Sequence, residues 1–583
     1  MVNRLPRIQG GVMRTTGISE SNTAVSVISK ILVVIFVLFC AVYADKAAEI
    51  FSYLSNILLH NMKWFILLSV TGICFFLIYV MFSRYGLIKL GKDTDKPEYS
   101  YFAWISMLFS CAMGVGLVFW GVAEPMNHYA SNPFTKGLTN EAASMAMQIT
   151  FFHWGLHAWS VYCITALAIG YFSYRKGLPF SLRSILHPLI GNRIYGPIGN
   201  LVDIIVIVVT TFGISQTLAL GVLQINAGLN KVFGLGINVT SQFIILVLLS
   251  SLATISVVRG IGTGMRRISE LNIILSIILI VILMCVGPAR YITNSYIEGL
   301  SNYSSNFISM SLWSDAQKDS EWQNWWTAFY WLWWSTWAPF VGMFIAKISK
   351  GRTIRQLIAG VLIVPTLVTF IWMSVFGGSA LKVEQNARQT FEQQTAQVAQ
   401  ASVNTGSSLQ KEATSKISDT PQASSEFKGG PIVQATQKDN TLAIFALYDA
   451  IDDGLFGMIL SITTCLLLIT YLVTSQDGGT HVLCFLDTRS EKETPIRTRL
   501  IWCLFVTSIS LGLLYVGGLK AIQTAVILFG FPILVLLTIM CGALLKALHK
   551  EVSTGLTSSP TEEVKEDFIT TLTSTEIQIK PEV

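Results

Sequence analysis

The segment Asn324 to Phe340 reads NWWTAFYWLWWSTWAPF and holds six tryptophans, one tyrosine and two phenylalanines. Aromatic faces are electron-rich, so a cluster of them attracts a cation whose head has no N–H to donate, a quaternary ammonium above all. On a helix Trp326, Tyr330, Trp333 and Trp337 share one face at i, i+4, i+7 and i+11, and Trp331 and Trp334 widen it. A second cluster, HWGLHAWSVY, places Trp154, Trp159 and Tyr162 over an arc of about 140°. Two such faces at membrane depth form a box for a cation. Ordinary helix packing is the plainer reading, and for Trp325 and Trp326 so is an interfacial aromatic belt. The belt fits Trp333, Trp334 and Trp337 less well, because an indole N–H two to three turns into a span lacks interfacial water.

Other residues could meet ions. SCAMGVGLVFWGVAEP, Ser110 to Pro125, carries Gly114, Gly116 and Gly121 in an apolar setting. Such glycines permit close helix packing, or they mark a discontinuous helix whose free N–H and C=O groups meet an anionic group and a cation. In YLVTSQDGG, Thr474 and Ser475 offer adjacent hydroxyls to a hard cation. Asp477 is an intramembrane carboxylate, read either as a cap at a broken helix end or as a proton relay. His153 and His157 stand at i, i+4 without the glutamate of a zinc protease motif, and read as packing histidines. GIGTG at Gly260 to Gly264 reads as a hinge or turn. No nucleophile and base pair up, so no enzyme activity and no cofactor are expected.

The elements that position these residues must be membrane helices. Of 583 residues 52% are hydrophobic and 13% charged, with mean hydropathy +0.56, whereas a soluble domain has about 25% charged residues. Twelve apolar runs are long enough to span: 24–44, 64–83, 100–123, 142–173, 201–229, 238–258, 268–288, 322–346, 357–380, 456–483, 500–519 and 521–547. Lys and Arg gather before the first run and after every second one, as in Arg84, Lys89, Arg175, Lys176, Arg352 and Arg355, which predicts cytoplasmic termini. The net charge of +6 is therefore a topology signal, with no basic patch for nucleic acid. The nine cysteines lack paired spacing and read as small buried hydrophobes. Three parts fall outside the spans: a cytoplasmic segment 1–23, a polar extracellular insert at 383–440 and an acidic cytoplasmic tail at 549–583, the last two expected to be disordered.

The chain resembles the betaine/carnitine/choline transporters. AMGVGLVFWGVAEP, HWGLHAWSVYCITALAIGYFSYRKG, FYWLWWSTWAPFVGMFIAKISKGRTIRQ and TSQDGGT occur in family order, and the likeness covers about residues 25–548 apart from the insert. The resemblance implies an all-α integral membrane protein with twelve transmembrane helices. Two of these precede a five-plus-five inverted repeat of the sodium-symporter type, at about 100–290 and 320–547. It also implies a homotrimer in the lipid of a bacterial cell membrane.

Carried over by position, the family's substrate box falls on Trp154, Trp159, Tyr162 and Trp334, with Trp331 and Trp337 lining the route. Unwound backbone at Ala112, Met113 and Gly114 would meet the substrate's carboxylate or hydroxyl. One sodium site falls on Ser110, Met113, Tyr471, Thr474 and Ser475. A second would use Thr210 and Phe340, and is expected to be weakened because Ile214 replaces a hydroxyl. Ala112 stands where the family has Gly, and the tail is acidic where osmosensing members have basic ones.

These residues imply sodium symport of a trimethylammonium solute, glycine betaine or choline, by alternating access. Proton-coupled choline uptake through Asp477, sodium-independent exchange of carnitine or betaine, and an aromatic-lined channel or sensor are the alternatives. A box recognises the cation, so these residues do not choose among betaine, choline, carnitine, ectoine and dimethylsulfoniopropionate.

Overall fold

The computed structural model describes residues 23–112, 114–259, 262–404, 426–488 and 494–555. The principal helices are α1 (Thr23–Val42), α2 (Ala44–Phe82), α3 (Tyr101–Ala112), α4 (Val115–Ala130), α5 (Asn140–Trp154), α6 (Leu156–Gly170), α7 (Pro197–Phe233) and α8 (Val239–Arg259). After them come α9 (Gly262–Val286), α10 (Ala289–Ser305), α11 (Phe329–Ile348), α12 (Ile354–Asn404), α13 (Pro431–Lys438), α14 (Leu455–Thr488) and α15 (Ile496–Ser553). Among the described residues nine helices are long and apolar enough to cross a membrane, and the pair α3 and α4, bent by 58°, makes a tenth crossing if taken as one span. A bilayer leaves backbone groups no water to bond, so apolar sequence of this length folds as helix. The protein is an all-α, multi-pass membrane protein.

Helices α6 and α11 pack face to face, α11 also packs on α15, and α7 lies between α14 and α15. α15 runs 58 residues but carries non-helical backbone at Gly517 and Gly518, where the chain turns between two helical halves. Inside the bundle the aromatic helix is almost wholly buried, from Phe329 to Trp334 without interruption. The charged loop after it is ordered by backbone pairing. Leu90 N–H donates to Arg352 O at 2.9 Å, Gly351 N–H to Leu90 O at 2.8 Å and Ile354 N–H to Ile88 O at 2.8 Å. Arg352 also stacks over Trp104 at 4.2 Å. The KGRTIR run thus fastens one loop to another.

Three expectations need correction. The insert at 383–440 is not uniformly disordered: α12 continues to Asn404, and α13 sits at its far side. The cause is Glu384, fully buried, whose carboxylate accepts N–H groups from Gly430, Ile432 and Val433 at 2.6, 2.8 and 3.0 Å and so caps the start of α13. Residues 405–425 lie outside the described residues. The tail expectation fails at its first turn, because α15 reaches Ser553 and Glu551 is buried against Tyr171, Arg175 and Lys176. The rest of the tail beyond Gly555, like residues 1–22, lies outside the described residues. Lastly, α14 passes unbroken through Thr474 to Gly479, so Asp477 caps no broken end. It is buried instead, with Ser256, His481 and Arg499 around it.

Candidate functional site

Two interrupted helices build the site. The first break separates α3 from α4, where Gly114 is fully extended at φ −176° and ψ 179° and precedes the first turn of α4. Beyond it Gly116 must be small: a Cβ there would lie 3.0 Å from the Trp333 ring and 3.3 Å from the Trp154 ring. The helix start can touch two indoles only because it has no side chain there.

The second break falls inside HWGLH. Gly155, at φ −91° and ψ −142°, ends α5 and begins α6. A break at membrane depth strands backbone groups, and three of them have partners from other helices. Trp334 Nε1 donates to His153 O at 3.2 Å, Thr369 Oγ1 donates to Trp154 O at 3.1 Å, and Leu156 N donates to Tyr303 OH at 3.1 Å. The indole of Trp334 is therefore held by the very break that turns Trp154 toward it.

Around these breaks lies a cavity of about 720 Å³. Trp154 and Trp334 meet edge to face at 4.9 Å between ring centroids, and Trp334 and Trp333 stack at 5.0 Å. Tyr162 stands 6.3 Å from Trp334 and 5.3 Å from Trp159. Rings in edge-to-face and offset arrangements at these separations attract one another, and their remaining faces line the cavity. Behind the box Glu124, fully buried, accepts Trp154 Nε1–H at 2.6 Å and the Tyr330 hydroxyl at 2.5 Å on one oxygen. A buried carboxylate with such partners fixes the orientation of both rings.

The other end of the cavity is polar. Ser110, Asn272, Tyr471, Thr474 and Ser475 line it. Asn272 Nδ2 donates to Thr474 Oγ1 at 3.3 Å, and the Tyr471 hydroxyl pairs with Ser276 Oγ at 2.8 Å. The Asn272 carbonyl oxygen is buried with no hydrogen-bond partner. Hydroxyl and amide oxygens of this kind suit a hard cation.

Most residues singled out in the sequence converge here, including Trp154, Trp159, Tyr162, Trp334, Trp337, Phe340 and Gly114. Met113 and the side chain of Ala112 lie outside the described residues. Trp331 does not line this cavity: it is 1% exposed and stacks on His157 at 5.2 Å, beside Phe152. Two positions, about 200° of helix rotation, separate Trp331 from Trp333 on the lining face, and Trp331 falls on the packing face. Thr210 is buried, its hydroxyl without a partner, and does not line the cavity that Phe340 lines. Ile214 packs directly on Gly479. His153 and His157 do not act together, since the break between them sends His153 to Glu124 and Thr327 and His157 to Ser311. Sequence reasoning placed Trp333 on the aromatic face but passed over Asn272 and Glu124 as site residues; for Glu124 the signal was present, a carboxylate inside an apolar helix.

The comparison with known proteins matches this architecture. The chain fits the family described as "BCCT, betaine/carnitine/choline family transporter" over residues 24–418 and 416–553. It belongs to that family. A "Probable glycine betaine transporter" of Desulfitobacterium hafniense (strain Y51) is 35% identical over 538 residues, 92% of this chain and 99% of that protein. The glycine betaine transporter of Bacillus subtilis (strain 168) is 36% identical over 491 residues, 84% of this chain and 87% of its own length. An "Ectoine/hydroxyectoine transporter" of Virgibacillus pantothenticus is 34% identical over 534 residues, 91% and 97% of the two chains. This member of the betaine/carnitine/choline family is thus a transporter and not an enzyme.

Proposed function

We propose that this transporter carries a trimethylammonium compatible solute, glycine betaine first and choline second, by sodium symport around the aromatic cavity. The observation that supports this reading is the convergence of Trp154, Trp159, Tyr162, Trp333 and Trp334 on one cavity. A quaternary ammonium offers no N–H, so ring faces are what can hold it. Free N–H groups at the break before α4 would take the carboxylate of betaine. The hydroxyls of Tyr471, Thr474 and Ser475, with Asn272, would take one sodium ion. Relatives named for glycine betaine stand beside one named for ectoine and hydroxyectoine, and none of these names states the coupling ion.

On the orientation that the Lys and Arg distribution predicts, α3 begins on the cytoplasmic side. The cavity then runs inward past Met107 and Phe344, as an inward-facing state would. Alternating access follows if the box closes only around substrate and sodium together, so that each raises the affinity for the other.

Uptake of radiolabelled betaine and choline into proteoliposomes, under an inward sodium gradient, an inward proton gradient or preloaded substrate, tests the reading. Accumulation driven by sodium is expected. Drive by protons alone removes sodium symport, and dependence on preloaded substrate alone makes the protein an exchanger.

A further inference from the structure

Behind the aromatic box, and outside the cavity, three ligating side chains meet. Glu124, His128 and His153 are each fully buried, and each offers one ligand atom within 4.8 Å of those of the other two. His153 Nδ1 is 2.8 Å and His128 Nε2 3.4 Å from the same Glu124 oxygen. The two imidazoles differ in one respect. His153 is anchored through Nε2 to Thr327 Oγ1 at 3.0 Å, whereas His128 has only the long approach of Nε2 to Glu124 and no partner at Nδ1. Burying an imidazole with its Nδ1 unmet and its Nε2 held at no closer than 3.4 Å costs free energy that folding must recover elsewhere.

The outer atoms of the cluster are bonded as the supports of metal ligands are. Glu124 turns Oε1 toward the imidazoles while Oε2 accepts Trp154 and Tyr330. The far nitrogen of His153 is held by a hydroxyl. The indoles of Trp326 and Trp322 cover His128 at 4.4 and 5.3 Å between ring centroids. Apolar cover of this kind excludes competing water and strengthens a charge–ligand interaction.

We propose that Glu124, His128 and His153 form a binding site for one divalent transition-metal ion of the zinc class. Two imidazoles and a carboxylate are ligands that suit zinc, nickel, copper and cobalt and disfavour magnesium and calcium, which require mostly oxygen ligands. Three protein ligands leave a fourth position open, as in zinc sites that are not purely structural. Because Glu124 holds Trp154 through its other oxygen, occupancy is linked to the box. An ion that changes betaine affinity must have its own affinity changed by betaine in equal measure.

The test uses the full-length protein in detergent, titrated with Co2+ and followed by visible absorption, with Zn2+ competition and isothermal calorimetry in parallel. One Co2+ per chain with the intense bands of four-coordinate cobalt, displaced by Zn2+, is expected. His128→Gln, which keeps the size of the side chain, should weaken Co2+ binding at least about tenfold while gel-filtration profile and tryptophan emission stay as in wild type. His128→Ala provides a second variant should the glutamine restore a ligand. A wild-type protein that takes up no stoichiometric Co2+, or folded His128 variants that bind it as wild type does, overturns the site. Neither readout depends on whether sodium, protons or exchange drives transport.

Discussion

Trp154 Nε1 donates to Oε2 of Glu124 at 2.6 Å, thirty positions away in sequence. This bond ties the discontinuous span that carries the glycine run to the discontinuous span that carries the aromatic cluster. It also gives a ring of the box a fixed pose with its N–H satisfied, so that no water is needed inside the bundle.

Glu124→Gln keeps the shape but removes the charge that Trp154 and Tyr330 bond. Hydrogen bonds to charged groups contribute about 1.5–3 kcal/mol, so betaine affinity should fall about ten- to hundredfold. Quenching of tryptophan emission by betaine measures it. Wild-type affinity in this variant would mean that the carboxylate does not hold the box.

Trp334 contributes a face to the cavity and its N–H to the break at Gly155. Trp334→Leu should lose about 0.5–2 kcal/mol of cation attraction, a fall in affinity of about 2- to 30-fold. Trp331→Leu changes a packing residue instead, and should lower thermal stability while betaine affinity stays near wild type. Calorimetric titration of both variants separates the two roles; the reverse pattern would return Trp331 to the route.

At most helical positions Gly→Ala gains about 1 kcal/mol. Gly155→Ala should do the opposite, since a Cβ would lie 2.6 Å from Phe151 O and 2.8 Å from Tyr303 OH. Overpacking of this order costs about 1–3 kcal/mol. A melting temperature below wild type, read by differential scanning fluorimetry in detergent, is the expected outcome; an unchanged or higher one contradicts the steric account.

Thr474→Val removes a hydroxyl from the polar end of the cavity with little change of volume. If that end holds sodium, the sodium concentration for half-maximal betaine binding should rise at least about fivefold, the equivalent of ~1 kcal/mol. An unaltered sodium titration with normal betaine affinity would take Thr474 out of the ion site.

Glu384→Ala strips three backbone N–H groups of their acceptor, a loss of about 1–3 kcal/mol where the donors stay buried. Limited proteolysis should then cut within 426–440 faster than in wild type, while betaine binding is kept. Equal cleavage rates would show that α13 is held by other contacts.

A helical membrane transporter of the betaine/carnitine/choline family, and the two segments that carry its aromatic residues, were legible in the amino-acid order alone. Hydrophobic length and aromatic spacing are local properties, so Trp154, Trp159, Tyr162 and Trp334 could be found from them and from resemblance. Which ring faces look into the cavity depends on the packing of helices distant in the chain. Trp331 and Trp333 stand two positions apart on one helix, and the helices packed against it turn one to His157 and the other to the cavity. The same holds for Gly155, whose break strands groups that Thr369, Trp334 and Tyr303 satisfy, and for Glu384, whose partners lie at least 46 residues away. Composition made 383–440 look disordered because it counts polar residues and cannot see one buried carboxylate reaching across the chain. The partners that decide such positions are distant in sequence, and only folding brings them within hydrogen-bond reach.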